Sequence, residues 1–203
     1  MPKKLKIFAT GDFHGDRTLA ENLAERATKE EVDIIILNGD IVEENKIEGI
    51  VGPFARTKKS VFLIPGNHES IATINALVDM YGSRSLHGYY ARYGDVGLFG
   101  CGGANCGMTS LSEDEIFETL KKGFEKIKDL PKKVMVTHTH PAGTVMEKFS
   151  SFVRGSEGLR KAIETFKPDV LICGHVHEAE GIEERIGSTL VMNVGKKGKI
   201  FEI

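Results

Sequence analysis

Eight short apolar runs rich in Val, Ile and Phe divide the chain and limit the folds that it can adopt. They are too short for buried helices and lack the alternation of half-exposed strands, so each predicts a strand that is buried on both faces. Helical patterns or glycine-rich turns separate most of them. The runs cover residues 5–10, 32–38, 60–64, 96–100, 133–137, 168–173, 189–194 and 199–203.

Three connecting segments carry apolar stripes at helical spacing, in residues 16–29, 112–128 and 158–166. Alternation of strand, helix and strand indicates a layered α/β fold with at least a partly parallel sheet. Residues 81–103 instead have the pattern of a hairpin or meander, and the strands within 187–203 follow one another without a helix. We therefore predict an α/β fold in which a two-sheet β-sandwich is flanked by helices.

The length of 203 residues fits one domain, predicted to span residues 1–203. No apolar stretch approaches the roughly 20 residues that cross a bilayer, and the lysine-rich start leads into a strand instead of a secretory signal. A cytoplasmic protein without a membrane partner is therefore expected. Lys and Arg total 27 against 29 Asp and Glu, so the charge balance does not indicate nucleic-acid binding, although it leaves this open. The oligomeric state is not readable.

Five of the predicted strands end in blocks of polar residues. In open α/β sheets, ligands bind outside the carboxyl ends of the strands, so these blocks are expected at one rim. Each block alone is an ordinary turn sequence, but a shared rim without a site would require all of them to coincide by chance. The blocks span residues 11–14, 38–43, 65–69, 138–141 and 174–177.

The residue types in these blocks are those of a metal site. Imidazole, carboxylate and amide oxygen, with no thiolate, suit Mn, Fe, Zn or Ni better than a sulfur-rich structural zinc site. Cys101 and Cys106 lack a second pair for such a zinc site, and three cysteines do not indicate a disulfide framework. Seven candidate ligands exceed the needs of one ion but suit two, which together can clamp a phosphate and activate a water.

In their order and composition, the blocks resemble those of the calcineurin-like metallophosphoesterase superfamily, which has a four-layer fold of two sheets between helices. The resemblance extends over residues 12–177 and rests on Asp12-Phe13-His14, Gly39-Asp40, Gly66-Asn67-His68-Glu69, His138 and Gly174-His175-Val176-His177. It implies two divalent metal ions, with Mn expected and Fe, Zn or Ni as alternatives. One ion would be held by Asp12, His14 and His177, the second by Asn67, His138 and His175, and Asp40 would bridge both.

The same resemblance implies a catalytic role for His68, as the histidine that meets the scissile phosphate and donates a proton to the leaving oxygen. Imidazole suits this role because its pKa lies near neutrality. The family orients this histidine through an acid three residues after the bridging aspartate, a position that Glu43 occupies here in place of the usual Asp.

Several residues near the blocks have two interpretations. Arg154 suits a phosphate contact, but exposed arginines commonly have no specific partner. His140 is a candidate on the substrate side or a turn histidine, and Asn105 is a polar contact or part of a plain loop. The aromatic segment with His87, Tyr89, Tyr90 and Tyr93 could stack on a base, although cross-strand packing is favoured.

The predicted function is therefore a dinuclear metal-dependent phosphoesterase that hydrolyses a phosphodiester, such as a cyclic nucleotide, by attack of a metal-bound hydroxide. One alternative is a phosphomonoesterase on small substrates, and another is a catalytically weak metal-binding interaction scaffold. A phosphoprotein phosphatase is disfavoured, because Pro65 and Glu44-Asn45 stand where that branch has arginines.

Overall fold

The computed structural model describes residues 4–43, 47–150 and 152–203. Glu44 and Asn45, compared above with the protein phosphatases, lie outside the described residues. Within these ranges the elements, in chain order, are β1 (Lys6–Thr10), α1 (Arg17–Lys29), β2 (Ile34–Leu37), α2 (Val51–Arg56), β3 (Ser60–Leu63), α3 (Ile71–Tyr81), β4 (Arg84–Ser85), β5 (Tyr90–Tyr93), β6 (Val96–Cys101), α4 (Glu113–Phe124), β7 (Lys132–Thr137), α5 (Glu157–Phe166), β8 (Val170–Cys173), β9 (Glu183–Ile186), β10 (Thr189–Asn193) and β11 (Lys199–Glu202).

The strands form two sheets, as the sequence predicts. The first has the order β11-β1-β2-β3-β4, and the second has the order β5-β6-β7-β8-β10-β9. Neighbouring strands are parallel except where β11, β5 and β9 pair antiparallel at the sheet edges. The parallel strands β1, β2 and β3 therefore end at one rim of the first sheet, and β7 and β8 end together in the second.

Alternate residues of the central strands enter two different cores, which explains why the runs are apolar throughout. Ile7 and Ile36 pack between the sheets together with Val136, whereas Phe8 and Leu37 pack under helices α1 to α3. A third core joins the second sheet to α4 and α5. The result is the expected four-layer arrangement of helix, sheet, sheet and helix. No helix in the described ranges is long and apolar enough to cross a membrane.

All eight predicted strands and all three predicted helices are present, but the weaker elements were missed. Helices α2 and α3 and the short strands β4 and β9 did not stand out in the sequence. The expected hairpin within residues 81–103 is the antiparallel pair of β5 and β6. Tyr93 packs edge-on against Phe62 across the two sheets, with ring centroids 6.1 Å apart, whereas Tyr89 and Tyr90 are exposed.

Candidate metal centre

The five polar blocks meet at one end of the sandwich. Asp12 and His14 follow β1, Asp40 follows β2, Asn67 and His68 follow β3, His138 follows β7, and His175 and His177 follow β8. The loops are tied in pairs, because the Asp12 N–H donates to Gly39 O and the Gly174 N–H donates to His138 O, each at 2.9 Å. The two sheets are joined below the centre where Asn38 Nδ2 donates to Thr137 O at 3.4 Å.

Three overlapping groups of donor atoms are close enough to hold metal ions. Within each group the donor atoms lie within 4.8 Å of one another. His14 belongs to the first and second groups, and Asp40 belongs to the second and third, so the groups form one continuous centre. The groups are Asp12 with His14 and His177, His14 with Asp40 and His68, and Asp40 with His138 and His175.

The backbone is strained where several of these donors are attached. Asp12, His14, Asp40 and His175 all have positive φ, at 57°, 47°, 50° and 70°. Non-glycine residues rarely adopt this conformation, and it costs free energy that the surrounding structure must supply. Its concentration at the centre indicates that the loops are shaped to aim these side chains.

Glycine beside a ligand allows the loops to approach closely. A Cβ on Gly66 would overlap Asp40 Oδ1, and a Cβ on Gly39 would lie 2.7 Å from His138 Nδ1. Gly39 also has a φ of +103°. Any side chain at either position would displace a candidate ligand, which gives a physical reason for glycine before Asp40 and before Asn67.

The hydrogen bonds of His138 leave one lone pair facing the centre. Its Nδ1 lies 3.0 Å from Asn38 O and must donate, because a carbonyl oxygen only accepts. Its Nε2 then points towards Asn67 Oδ1 at 3.0 Å and Asp40 Oδ2 at 3.3 Å. Three electron-rich atoms converge there and repel one another unless a proton or a metal ion lies between them.

Asp12 provides a second test of whether metal fits. Its side chain is 1% exposed, and neither carboxylate oxygen has a hydrogen-bond partner among the described residues. A buried carboxylate without hydrogen bonds is costly unless a nearby cation compensates its charge. Asp12 Oδ1 lies 3.6 Å from His177 Nε2, and His14 Nε2 lies 3.3 Å from the same His177 atom. The residues therefore fit a divalent cation between Asp12, His14 and His177, and another beside Asp40.

The histidines of the centre balance the charge of its carboxylates. Burial opposes a charge on His138, but hydrogen bonding and attraction to Asp40 outweigh it and raise the pKa of His138 to about 9. Burial and the neighbouring His138 lower the pKa of His175 to about 3, so His175 is neutral. Burial also opposes ionisation of Asp40, yet His138 holds the pKa of Asp40 well below its usual value. Metal binding would therefore release the His138 proton.

Glu69 has a structural role in the centre that the sequence pattern did not predict. It is 2% exposed, and Oε1 accepts from the N–H groups of Ile41 and Val42 while Oε2 accepts from those of Asp40 and Gly66. Burial and the charge of Asp40 raise the pKa of Glu69, against the opposing effect of these N–H groups. The side chain fastens the Asp40 loop to the Asn67 loop. Its place directly after His68 was the only signal in the sequence.

The remaining predicted site residues surround this centre. The side chain of His68 is 56% exposed and lines a cavity together with Glu43. The backbone N–H of His68 donates to Asp40 Oδ1 at 2.9 Å. His140 is fully buried, and its ring nitrogens have no hydrogen-bond partner in the described ranges. Asn105 Nδ2 donates to Arg154 O at 3.4 Å, so these two exposed residues join neighbouring loops.

Two stacked sheets with this donor set at one end define the chain as a metallophosphoesterase. Residues 5–179 match the calcineurin-like phosphoesterase family, and the chain belongs to that family. An uncharacterized metallophosphoesterase of Helicobacter pylori is 32% identical over 77 residues, which are 34% of this chain and 21% of that protein. The chain thus matches about a fifth of the length of this curated relative.

Solved structures share the fold at low sequence identity. The crystal structure of TT1561 of Thermus thermophilus is similar with a TM-score of 0.78 and 17% identity, over 98% of this chain and 99% of that one. A dimetal phosphatase from Danio rerio is similar with a TM-score of 0.65 and 11% identity, over 94% and 87% of the two chains. These similarities establish the two-sheet architecture.

Proposed function

We propose that the protein is a dinuclear metal-dependent phosphoesterase that hydrolyses phosphodiesters. The observation that carries this proposal is the sharing of Asp40 and His14 among three adjoining donor groups. A carboxylate placed between two groups suits a bridging ligand. When bound, two divalent ions supply charge neutralisation at the phosphate and a water of lowered pKa.

The protein residues divide the remaining work. One ion would be held by Asp12, His14 and His177, the other would be held by Asn67, His138 and His175, and Asp40 would serve both. The attacking water first gives up a proton to solvent. As its oxygen bonds to phosphorus, the bond from phosphorus to the leaving oxygen breaks, and His68 donates a proton to that oxygen. Exposure of the His68 side chain leaves it accessible to an incoming ester. We propose that Glu43, in the same cavity, orients His68.

The lining of the cavity beside His68 favours a substrate whose leaving group carries no charge. It has a volume of about 280 Å³, and Val42, Ile47 and Met108 provide apolar lining while Ser70 and Thr73 provide hydroxyl groups. Apart from His68, its titratable lining residues in the described ranges are Glu43 and Glu69, and a carboxylate charge there would repel a second phosphate. A singly charged phosphodiester with a neutral alcohol fits this lining better than a polyphosphate or a nucleic-acid chain.

We infer manganese as the first metal to test, with iron, zinc and nickel as alternatives, because the centre combines carboxylate, amide and imidazole donors. We also infer a cytoplasmic location. All three cysteines are free, and Cys106 is exposed. An exposed unpaired thiol suits a reducing compartment.

The proposal is tested by hydrolysis of two chromogenic esters that share a leaving group, one a phosphomonoester and the other a phosphodiester. Metal-stripped protein is assayed with and without Mn²⁺. We expect metal-dependent turnover with the diester preferred. Preference for the monoester would replace diesterase by phosphatase, and no turnover by protein that holds two ions per chain would favour the interaction scaffold.

Asp40→Asn is the matched variant for this assay, because it keeps the shape of the side chain but removes the charge. If Asp40 bridges the ions, the variant loses metal as well as activity, as measured by elemental analysis. Full metal occupancy in Asp40→Asn would contradict the bridging role.

A further inference from the structure

A buried asparagine on a neighbouring strand contacts the block that carries His175 and His177. Asn193 is the last residue of β10, and it is 2% exposed. Strand β10 runs parallel to β8, and Asn193 pairs there with Cys173, directly before Gly174. The side chain of Asn193 is therefore within reach of the block without being part of it.

The side-chain amide of Asn193 bonds to the two carbonyl groups on either side of His175. Its Nδ2 donates to Val176 O at 3.0 Å and to Gly174 O at 3.4 Å. Carbonyl oxygens only accept, so the NH₂ group must face them. The Oδ1 atom has no hydrogen-bond partner among the described residues, so the nitrogen is the atom through which this amide acts.

These two carbonyls belong to the peptide groups that lead into the candidate ligands. Gly174 O lies in the peptide group that joins Gly174 to His175, and Val176 O lies in the one that joins Val176 to His177. Because a peptide group is planar, holding its oxygen also restrains the following nitrogen and Cα. One amide thus restrains two histidines that are candidate ligands of different ions.

The turn that Asn193 contacts is strained. His175 has a φ of 70°, and the Val176 N–H donates to Gly174 O at 2.9 Å, which together make a γ-turn of the rare, positive-φ kind. A residue other than glycine keeps this conformation only where its surroundings enforce it. The bonds from Asn193 span the turn and oppose its relaxation.

We propose that Asn193 is a positioning residue of the metal centre, which holds the turn at His175 so that His175 and His177 face their two ions. Groups that orient ligands alter metal affinity by about 10- to 100-fold. Loss of the Asn193 amide should weaken both positions, because the turn carries one ligand of each. This inference rests on the metal centre of the proposed function and names a further residue on which that centre depends.

Thr189 provides a matched control on the same strand. It is 1% exposed, and its Oγ1 donates to Pro168 O at 2.6 Å. Like Asn193, it is a buried side chain of β10 that donates to a backbone carbonyl next to β8. The candidate ligands follow the end of β8, whereas Thr189 lies beside its start. Thr189→Val therefore removes a comparable hydrogen bond away from the centre.

The test is a Co²⁺ titration of metal-stripped wild type, Asn193→Leu and Thr189→Val as full chains, followed by calorimetry and visible absorption. Leucine has nearly the shape of asparagine but cannot donate a hydrogen bond. We expect Asn193→Leu to bind both ions about 10- to 100-fold more weakly. Its visible cobalt bands should also shift, because they depend on the geometry of the donors. Thr189→Val should lose stability to urea and keep the wild-type affinities and bands.

The outcomes separate this role from the proposed function. Wild-type affinities and unchanged bands in folded Asn193→Leu would overturn the positioning role and leave the dinuclear centre intact. Equal weakening in Thr189→Val would also overturn it, since metal binding would then follow overall stability. Failure of wild type to bind two Co²⁺ ions per chain would overturn the proposed centre as well.

A measurement on wild type covers the case in which the Asn193 variant does not fold. The side-chain amide hydrogens of Asn193 should exchange with solvent much more slowly than those of Asn75, which is exposed on α3. Nuclear magnetic resonance follows both in the metal-stripped and the metal-loaded protein. Equally fast exchange of the two amides would show that Asn193 does not hold the turn and would overturn the proposal.

Discussion

His138 donates its Nδ1 hydrogen to the carbonyl oxygen of Asn38 across the two sheets, over 3.0 Å. The bond fixes the ring tautomer, so Nε2 is the atom that faces Asp40 and Asn67. Such outer hydrogen bonds orient metal-binding histidines and raise their basicity. A backbone carbonyl that follows a strand of the first sheet thus orients a candidate metal ligand that follows a strand of the second sheet.

Two replacements of His138 separate the functions of its two ring nitrogens. In His138→Asn the amide can still donate to Asn38 O but has no atom at the Nε2 position, whereas His138→Gln places a polar atom near Nε2. We expect His138→Asn to fold and to lose the ion beside Asp40, with affinity reduced beyond the 10–100-fold typical of outer-shell changes. His138→Gln should retain more metal. Elemental analysis and calorimetric titration measure the metal content and metal affinity of the two variants. Equal affinities of His138→Asn and His138→Gln would contradict the assignment of Nε2 as the ligand atom.

His68→Ala should slow hydrolysis while the protein keeps its metal. General acids typically contribute about 10²- to 10⁴-fold, and the contribution should depend on the leaving group. An ester with a poor, alkyl leaving group should lose the full factor, whereas a nitrophenyl ester, whose leaving group needs no proton, should lose much less. An equal loss for both esters would argue against proton donation. Loss of metal would instead make His68 a ligand, consistent with its place beside His14 and Asp40.

Much of the fold and the centre was accessible from the sequence because the signals are local. A strand buried on both faces must be apolar throughout, and a ligand at its end must follow directly in the chain, as His138 follows β7. Elements with a less regular sequence pattern were not predicted. Helix α3 begins at the Ser70 cap, directly after the site block, and its apolar pattern is less marked than that of α5.

Contacts between distant residues could not be predicted in the same way. Glu69 binds N–H groups 27 to 29 residues earlier in the chain, and Cys106 approaches His175 over 69 positions. Neither contact has a periodicity or a motif of its own. The proximity of the Cys106 thiol to His175 arises only when the two loops meet, so the sequence alone does not indicate it.

Glu69→Gln should weaken both the fold and the metal centre. One oxygen would be replaced by an NH₂ group that faces buried N–H donors, leaving two of them without an acceptor. At roughly 1 to 3 kcal/mol for each such group, we expect the free energy of unfolding to fall by about 2 to 6 kcal/mol, measured by urea denaturation. Metal affinity should fall by about 10- to 100-fold, as is typical of groups that orient ligands.

Glu113→Gln is the control for this change. The Glu113 carboxylate also accepts a backbone hydrogen bond, from the Gly158 N–H at 2.7 Å, but it joins α4 to the start of α5, where the structure places no candidate metal ligand among the described residues. It should lose some stability and keep the metal affinity of wild type. If both variants bound metal as wild type does, Glu69 would have only a structural role.

His87 should contribute to acid destabilisation of the fold. The Gly102 N–H donates to its Nδ1 at 3.0 Å, which requires that nitrogen to be unprotonated. Burial and the nearby Lys122 lower the pKa of His87 below its ordinary value of 6.5. The unfolded chain therefore takes up a proton as the pH falls below about 6.5 while the folded chain does not, so the free energy of unfolding decreases.

His87→Asn isolates this contribution, because its amide oxygen can accept from Gly102 and does not titrate. Between pH 6.5 and pH 5 its free energy of unfolding should fall less steeply than that of wild type, by up to about 1.4 kcal/mol per pH unit for one proton. Urea denaturation across this range measures the slopes. The other histidines are present in both proteins, so their titration cancels in the difference, and identical slopes would show that His87 is protonated equally in the folded and unfolded states.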